Sequence, residues 1–210
     1  MHAASTLPVT PAAEQQAQAE QPHSVWKTSI LFTLVATAIF GIAYPLVITF
    51  AAGILFPHQA AGSLVLKDGQ VIGSELLAQS FTSDSYFHPR PSAAGNGYDA
   101  TSSGGSNLAQ SNAKLVQRIQ TDIDKLSAQS GGKPVPIDLV TTSGSGLDPD
   151  ITPDAAYFQA SRIAKARRLS EEQIRTLIAS HITQRQFGIL GEPRVNVLLL
   201  NLDLDKLSKL

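Results

Sequence analysis

The sequence of 210 residues contains no cysteine, which excludes disulfide bonds, thiolate nucleophiles and cysteine-ligated metals. It also lacks a basic excess, because 16 lysines and arginines stand against 17 aspartates and glutamates, for a formal net charge of -1. Nucleic-acid binding requires such an excess, so we expect no nucleic-acid partner. The five histidines include no pair at the helical spacing of metal ligands, so no metal site is predicted.

Motifs for nucleotide or acyl chemistry are also missing. There is no Gly-x-Ser-x-Gly turn and no Asp-Lys-Thr-Gly-Thr run. Gly132-Lys133 is followed by Pro134 and lacks the upstream glycine of a phosphate-binding loop. The motifs therefore predict no catalytic residue and no cofactor, and we expect that the chain does not hydrolyse ATP alone.

A long segment without charged side chains runs from Thr28 to Phe56, beyond the roughly 20 apolar residues that cross a bilayer. The acidic Glu14 and Glu20 before it, and the length of its apolar core, favour an uncleaved anchor over a signal peptide. Lys27 at its first edge favours a cytoplasmic N-terminus. We expect a disordered cytoplasmic tail (1–26), a transmembrane helix in the lipid bilayer (27–57) and a periplasmic domain (58–210).

Within this segment every fourth residue is small, hydroxylic or helix-bending. The positions are Ser29, Thr33, Thr37, Gly41, Pro45, Thr49 and Gly53. Such a stripe usually marks where two membrane helices approach closely, so we predict that these residues bind a partner helix. The alternative is that threonine and glycine are simply common in membrane helices. A period of four winds around a straight α-helix by about 40° per step, and a kink is expected at Pro45.

The residues after Pro57 predict a compact α+β domain. Asp68-Gly69 between two short apolar runs indicates a hairpin. Asn107 is expected to cap a helix that ends at Gly131-Gly132, and the run 135–140 reads as a strand. The apolar face of this helix should be formed by Leu108, Leu115, Ile119, Ile123 and Leu126.

Two more helices and a last strand complete the expected domain. Thr152 with Pro153 should open one helix, and Ser170 with Gln173 forms a capping box that opens the next. The buried stripe of the latter is expected at Ile174, Leu177, Ile178 and Ile182. The β-branched and apolar run 193–204 predicts a buried strand near the C-terminus.

Two polar loops are the candidates for function, residues 86–108 and residues 143–146. Glycine-rich turns can bind anions through backbone N–H groups, but they equally serve tight turns, and we favour the turn interpretation. In the first loop the candidate partner-binding residues are His88, Arg90, Tyr98 and Asp99. A further group of cations is expected to form a solvated helix face rather than a phosphate site: Arg162, Lys165, Arg167, Arg168 and Arg175.

Three motifs in order behind one membrane helix carry a resemblance to a known family. They are "YFHPRPSAAGNGYDATSSGGSNL", "PVPIDLVTTSGSGLDPDITPDAAYFQASRIAKAR" and "LGEPRVNVLLLNLDL". They closely resemble the C subunit of bacterial potassium-transporting Kdp ATPases, over residues 27 to 204. The chain departs from that pattern in "AQSN" after Leu108 and in Arg168, which stands where the family usually has glycine.

The resemblance implies an accessory, non-catalytic subunit in the bacterial inner membrane. Its partners would be a channel-like potassium-binding subunit, a P-type ATPase subunit and a small single-helix subunit. The family is also described as a catalytic chaperone that raises the ATP affinity of the hydrolysing subunit, so ATP is implied by resemblance alone. A periplasmic domain does not meet cytoplasmic ATP, and the expected topology therefore argues against direct contact.

Two alternatives remain open from the residues. One is a signal-anchored periplasmic enzyme that uses His88 or His181 as a base. The other is a general assembly module that binds no pump subunits. The first requires hydrolytic activity of the domain, and the second requires that the chain fail to join a pump complex.

Overall fold

The computed structural model describes residues 24–207, and the chain divides into two units, one ending at Ala60 and one beginning at Ala61. A tail was expected at residues 1–26, and residues 1–23 of it lie outside the described residues. Val25 and Trp26 already belong to the first helix. The long apolar N-terminal helix and the small domain of helices and sheets that follows were both predicted correctly.

The first unit contains the helix α1, Val25–Leu55, and the short helix α2, Pro57–Ala60. By length and composition α1 can cross a membrane, and none of its residues is buried within the protein. Large apolar side chains such as Phe32, Phe40 and Phe50 are exposed along it. An apolar surface of this kind requires a nonaqueous environment or a partner.

The helix α1 changes its winding ahead of Pro45. It is α-helical over Val25–Ala36, π-helical over Thr37–Ala43, and α-helical again over Tyr44–Leu55. The backbone N–H of Tyr44 donates to the carbonyl of Ile39, five residues earlier. Proline has no N–H, and its ring would clash with the carbonyl four residues back in a continuous α-helix. A wide turn therefore precedes Pro45. The kink expected at Pro45 stays a prediction.

The second unit begins with the predicted hairpin. Strand β1, Leu64–Lys67, pairs antiparallel with β2, Gln70–Ser74. Asp68 and Gly69 both have positive φ, 53° and 78°, as the two central residues of a type I′ turn require. This prediction is confirmed down to the turn residues.

Helix α3, Ala113–Ser130, begins later than predicted. Its cap is Asn112, whose side-chain oxygen accepts from the Lys114 N–H at 2.9 Å. The predicted cap, Asn107, is wrong because that residue has φ of 51°, whereas a capping residue is usually extended. The predicted end is correct, since Gly131 closes the helix in the left-handed conformation.

The strand predicted at 135–140 is also wrong, because residues Ile137–Leu139 form a 3-10 turn. The N–H groups of Leu139 and Val140 donate to carbonyls three residues back. Pro134 and Pro136 have no N–H to give to a sheet, which disfavours a strand here. The Asp138 carboxylate accepts the Thr152 N–H at 2.7 Å and so holds this turn against the start of the next helix.

Both predicted caps in the second half of the domain are confirmed. Helix α4, Pro153–Arg167, is capped by Thr152, and helix α5, Glu171–Ser180, is opened by the capping box of Ser170 and Gln173. Ile174 and Ile178 are buried as expected. Ile182 was wrongly placed on α5, because the helix ends at Ser180.

A small sheet and a last helix complete the domain. Strands β3, Asp150–Ile151, β4, Ile182–Thr183, and β5, Arg194–Asn196, form an antiparallel sheet in the order β3–β5–β4. The predicted long C-terminal strand is wrong beyond Asn196, because Val197–Leu207 form the helix α6. Four of its five buried residues follow a helical spacing, Val197, Leu200, Asn201 and Leu204, and Leu198 is buried beside them.

The core of this unit lies between α4, α5, α6 and the small sheet. Ile151 and Val195 come from the sheet, and Ile163, Ile178 and Leu200 come from the three helices. Phe87, in the first polar loop, is completely buried in the same cluster. The loop is therefore anchored in the core by one of its own side chains.

Candidate functional site

The two polar loops predicted as separate candidates lie against each other. The Gly104 N–H donates to the Ser145 carbonyl at 2.8 Å, and the Ser92 hydroxyl donates to the Gly146 carbonyl at 2.6 Å. The Ser103 hydroxyl also donates to the Ser145 carbonyl. These hydrogen bonds join residues 92–106 and 143–146 into one surface, which we call the paired-loop surface.

The approach of the two loops depends on small residues. A Cβ atom added to Gly146 would lie 2.6 Å from the Gly104 carbonyl oxygen and 2.7 Å from the Ala94 nitrogen. Gly146 also has φ of 66°, in the region that favours glycine. The turn interpretation of the Ser143–Gly146 loop thus agrees with the structure, and the turn serves to seat one loop on the other.

The beginning of the first loop is fixed by two buried amides. The Asn201 side chain accepts the Phe87 N–H at 2.8 Å and donates to the Phe87 carbonyl at 3.0 Å. Gln159 does the same for His88, accepting its N–H at 2.8 Å and donating to its carbonyl at 3.1 Å. The backbone of an irregular segment is thereby paired as it would be in a sheet.

Sequence reasoning did not identify Gln159 and Asn201. A signal existed, because Gln159 falls on the same helical stripe as Ala155, Ala156 and Ile163 in α4, and each of these is buried. A polar residue on an apolar stripe is expected to be buried and hydrogen-bonded. Once the C-terminal run is assigned to a helix, the same reasoning identifies Asn201.

The predicted partner-binding residue His88 is partly buried beside α4. Its Nε2 lies 3.0 Å from the Ser83 carbonyl, which can only accept, so Nε2 carries the hydrogen. Burial lowers the pKa of His88, and the nearby Arg162 lowers it further. The Ser83 contact and Asp84 oppose these effects without cancelling them. The imidazole is therefore neutral near pH 7.

The other three predicted loop residues hold the loop together. Arg90 donates to Asp148 Oδ2 at 3.0 Å and to the Thr142 carbonyl at 3.2 Å. The Tyr98 hydroxyl donates to the Arg90 carbonyl at 2.8 Å, which brings these two residues together. Asp99 accepts from the backbone of Thr101 and caps the turn Ala100–Ser102. Contact of any of the four with a partner remains a prediction.

His181, the second histidine weighed as a base, lies at the end of α5. Its Nε2 is 3.0 Å from Asp203 Oδ2, and its Nδ1 is 3.2 Å from the Ser180 hydroxyl and 3.0 Å from the Leu177 carbonyl. This grouping contains the residue types of a hydrolytic triad. The Ser180 hydroxyl, however, donates to the Leu177 carbonyl at 2.8 Å. The Ser180 hydroxyl and His181 Nδ1 therefore both hydrogen-bond the Leu177 carbonyl in the last turn of α5.

Two of the cations expected on a solvated face are internal. The side chains of Arg162 and Arg167 are only 16% and 9% exposed. Arg162 donates to the Tyr86 carbonyl at 3.0 Å, and Arg167 donates to the Ser85 carbonyl at 2.7 Å. The expectation is therefore wrong for this pair, because the backbone carbonyls of Ser85 and Tyr86, at the start of the first loop, supply the acceptors. Lys165, Arg168 and Arg175 are exposed as expected.

A cleft of about 400 Å³ opens between α3, α4 and the start of the first loop. Its lining includes Phe81 and Phe158. Asp84 and Asp122 also line it and lie 3.8 and 3.0 Å from Arg162 and Arg118. Two lysines also line it, Lys125 and Lys133. Within residues 24–207 no group of three or more histidines and acids could hold a metal ion.

The stripe of small and hydroxylic residues from Ser29 to Gly53 lies entirely on α1. Thr37 and Gly41 fall in the π-helical part of this helix. A Cβ atom added to Gly41 would lie 3.5 Å from Thr37 Cγ2, so the two residues are neighbours on the helix surface. A π-helix has more residues per turn than an α-helix, so a step of four drifts less there. The predicted winding of the stripe is thus reduced at its centre.

Over residues 24–207, the fold and the site define one candidate membrane anchor and a small domain whose polar loops are fixed by internal hydrogen bonds. The family described as "K+-transporting ATPase, c chain" matches residues 26–206. The chain therefore belongs to the KdpC family, as the three motifs predicted. It is accordingly a subunit of a potassium-transporting P-type ATPase complex, and its membership implies partner subunits.

Similar proteins cover almost the whole chain. It is 56% identical over 181 residues to the potassium-transporting ATPase KdpC subunit of Acidobacterium capsulatum, covering 86% of this chain and 97% of that protein. The KdpC subunit of Koribacter versatilis is 53% identical, with 85% and 92% covered. That of Methylobacterium nodulans is 52% identical, with 87% and 96% covered.

Proposed function

We propose that this chain is the accessory subunit that stabilises an ATP-driven potassium-uptake complex from the outer side of the membrane. In this proposal α1 packs through its stripe on a channel-like, potassium-binding subunit. The paired-loop surface seats on the outer mouth of the same subunit. The joining of two glycine-rich loops into one fixed surface is the observation that carries the proposal.

A fixed surface is suited to binding because its conformational entropy is already lost on folding. Phe87 and His88 are paired by Asn201 and Gln159, and the glycine turns are joined by backbone hydrogen bonds. Burial of the Phe87 side chain in the core anchors the loop to the domain. The exposed residues of the surface, such as Asn96 and Ser102, then supply polar groups for a partner.

We also propose that the chain raises the ATP affinity of the hydrolysing subunit through assembly and without touching the nucleotide. Support comes from the lack of a phosphate-binding loop motif in the sequence and from the position of Lys27, which favours a cytoplasmic N-terminus. A folded domain outside the membrane would act by favouring one arrangement of the membrane subunits. Such coupling needs only that it bind one arrangement better than the other.

The test is potassium-stimulated ATP hydrolysis by membranes that contain the other subunits, with and without this chain. We expect hydrolysis at limiting ATP to fall without the chain and to return with the wild-type protein. Asn96→Trp places a large side chain on the paired-loop surface and should not restore it. Lys165→Trp, at an exposed position of α4, is the matched control and should restore it.

Equal activity with and without the chain would overturn the accessory role. Full rescue by Asn96→Trp would overturn the paired-loop surface as the contact while leaving the accessory role in place. Purified Asn96→Trp should unfold at the same temperature as the wild type, which separates lost binding from lost folding.

A further inference from the structure

The loop between β4 and β5 exposes three large apolar side chains. Phe187 is 91% exposed, Ile189 75% and Leu190 55%. Scattered apolar residues on a surface are ordinary, but three within four positions form a patch that usually marks an interaction site. We call these residues the apolar tip.

The apolar tip has a defined shape. Gln186 and Leu190 face each other in an antiparallel bridge, with each N–H donating to the other's carbonyl at 2.9 Å. The Ile189 N–H donates to the Gln186 carbonyl at 3.1 Å and closes the turn. At its base Arg185 forms an ion pair with Glu192. The tip is thus a small hairpin held by its own backbone.

The turn places phenylalanine where the backbone disfavours it. Phe187 and Gly188 both have positive φ, 53° and 76°, the pattern of a type I′ turn. The first position of that turn favours asparagine, aspartate or glycine, and the other hairpin of this domain has Asp68 there. Phe187 is also unburied, so folding gains little from it. A residue whose backbone conformation is unfavourable, and whose side chain gains no stabilising packing, indicates a role outside folding.

We propose that the apolar tip inserts into an apolar pocket on another subunit of the potassium-transporting complex, with Phe187 as the anchor. The proposal rests on the accessory role argued above and adds a second contact to it. An aromatic side chain held rigidly within a rim of charged residues has the character of an interface hot spot.

The charges argue for a protein pocket over a lipid surface. Arg185 and Glu192 compensate each other, and the residues after Pro57 hold fifteen basic and fifteen acidic side chains. Binding to anionic lipid is supported by clusters of lysine and arginine, which this loop lacks. Membership of the potassium-transporting complex implies partner subunits, and this favours a different subunit as the occupant over a second copy of this chain.

The first test uses Phe187→Asn in the full chain, which suits the turn and removes the anchor. We expect its unfolding temperature to equal or exceed that of the wild type, while its affinity for the other subunits in detergent falls about tenfold or more. Val116→Gln, which changes a 55% exposed residue on α3, should alter neither quantity. A lower unfolding temperature, or unchanged affinity, for Phe187→Asn would overturn the proposal.

The second test uses the lack of cysteine, which allows a single label at Ile189→Cys. An environment-sensitive fluorophore there should become shielded from aqueous iodide when the other subunits are added in nanodiscs. Nitroxide-labelled lipids should not quench it. Quenching by these lipids would assign the tip to the bilayer, and shielding by the chain alone would assign it to self-association; either result overturns the proposal.

The two proposals fail in distinguishable ways. If the wild-type chain does not join the complex, the accessory role fails and the docking of the tip fails with it. If the wild type and Phe187→Asn join equally well, only the docking of the tip fails.

Discussion

Two glycines of the same loop differ in what surrounds them. Gly146 has φ of 66°, and an added Cβ would lie 2.6 Å from a backbone oxygen, whereas nothing lies within 4 Å of a Cβ added to Gly144. Gly146→Ala should therefore destabilise the domain by about 1–3 kcal/mol. Alanine disfavours this positive φ, and its methyl group would clash with the backbone oxygen of Gly104. Urea unfolding followed by circular dichroism measures this free energy.

Gly144→Ala is the matched control for Gly146→Ala, because both add one methyl group two residues apart. We expect its free energy of unfolding to stay within about 0.5 kcal/mol of the wild type. Equal effects of the two substitutions would show that the close seating of the loops does not contribute to stability.

Asp205 forms a polar cluster that depends on pH. Its carboxylate accepts from Arg167 Nη2 at 2.9 Å and from the Tyr86 hydroxyl at 3.0 Å, and Lys67 Nζ lies 3.5 Å away. Burial acts to raise the pKa of Asp205, but these bonds and charges together hold it below its ordinary value. A lowered pKa means that the folded state favours the charged carboxylate more than the unfolded state does.

The stabilisation from Asp205 is therefore present above its unfolded pKa and is lost as the pH falls below about 4. Asp205→Asn should lower stability near pH 7 and flatten the fall in stability below about pH 4. Thermal unfolding across that range measures both effects, with the exposed Glu172→Gln as control. A wild-type slope in Asp205→Asn would contradict the role of this carboxylate.

At the scale of elements, most turn and capping signals were read correctly, as was the apolar segment of α1, whereas the apolar run near the C-terminus was not. The Asp68-Gly69 turn, the Thr152 cap and the capping box of Ser170 act within a few residues, so sequence alone predicts them. The run 193–204 contains so few polar residues that its hydrophobic pattern does not distinguish a helix from a strand. The Asn196 side chain accepts the Leu199 N–H at 3.1 Å and starts the helix that replaces the predicted strand.

The candidate site could be predicted only in part for a related reason. The glycine content of residues 92–106 and 143–146 indicates turns, but their contact joins segments about forty residues apart. Likewise, the acceptors of Arg162 and Arg167 are backbone carbonyls of the first loop, which no pattern in α4 indicates. Tertiary contacts of this kind lie outside what periodicity and capping rules describe.

The stripe on α1 leads to a prediction at this scale. Thr37→Leu together with Gly41→Leu should weaken co-purification with the other subunits, because the added side chains would keep a partner helix from close approach. The two residues are neighbours in the π-helical part, where a Cβ on Gly41 would lie 3.5 Å from Thr37 Cγ2. Recovery of the complex from mild detergent, relative to wild type, is the measurement.

Ile39→Leu together with Ile42→Leu is a suitable control for the stripe. Both residues lie in the same π-helical segment and are exposed, but they are outside the stripe. We expect normal recovery of this variant. Equal recovery of the two double variants would show that the small residues are ordinary components of a membrane helix.

At the scale of the whole molecule, the chain divides two tasks between a candidate membrane helix and a folded domain. The helix α1 has no buried residue and no charged side chain after Lys27, so it cannot line an ion pathway alone. The domain carries the shaped surfaces, which are the paired loops and the apolar tip. Both tasks fit a subunit that acts by binding other subunits.

The side of the membrane on which the domain lies decides which partners and ligands it can meet. Lys27 lies directly at the N-terminal edge of the uncharged segment, whereas Lys67 lies eleven residues beyond its other edge. Positive residues near a membrane helix favour the cytoplasmic side, so the N-terminus should be inside and the domain outside.

Alkaline phosphatase fused after Leu210 should then be active, and a green fluorescent protein fused at the N-terminus should fluoresce. Moving the positive charge, by Lys27→Gln with Gln59→Lys, should reduce the phosphatase activity per fusion protein. Fluorescence from a C-terminal fluorescent protein in the wild type would place the domain in the cytoplasm, within reach of ATP, and would reverse the argument for an effect through assembly alone.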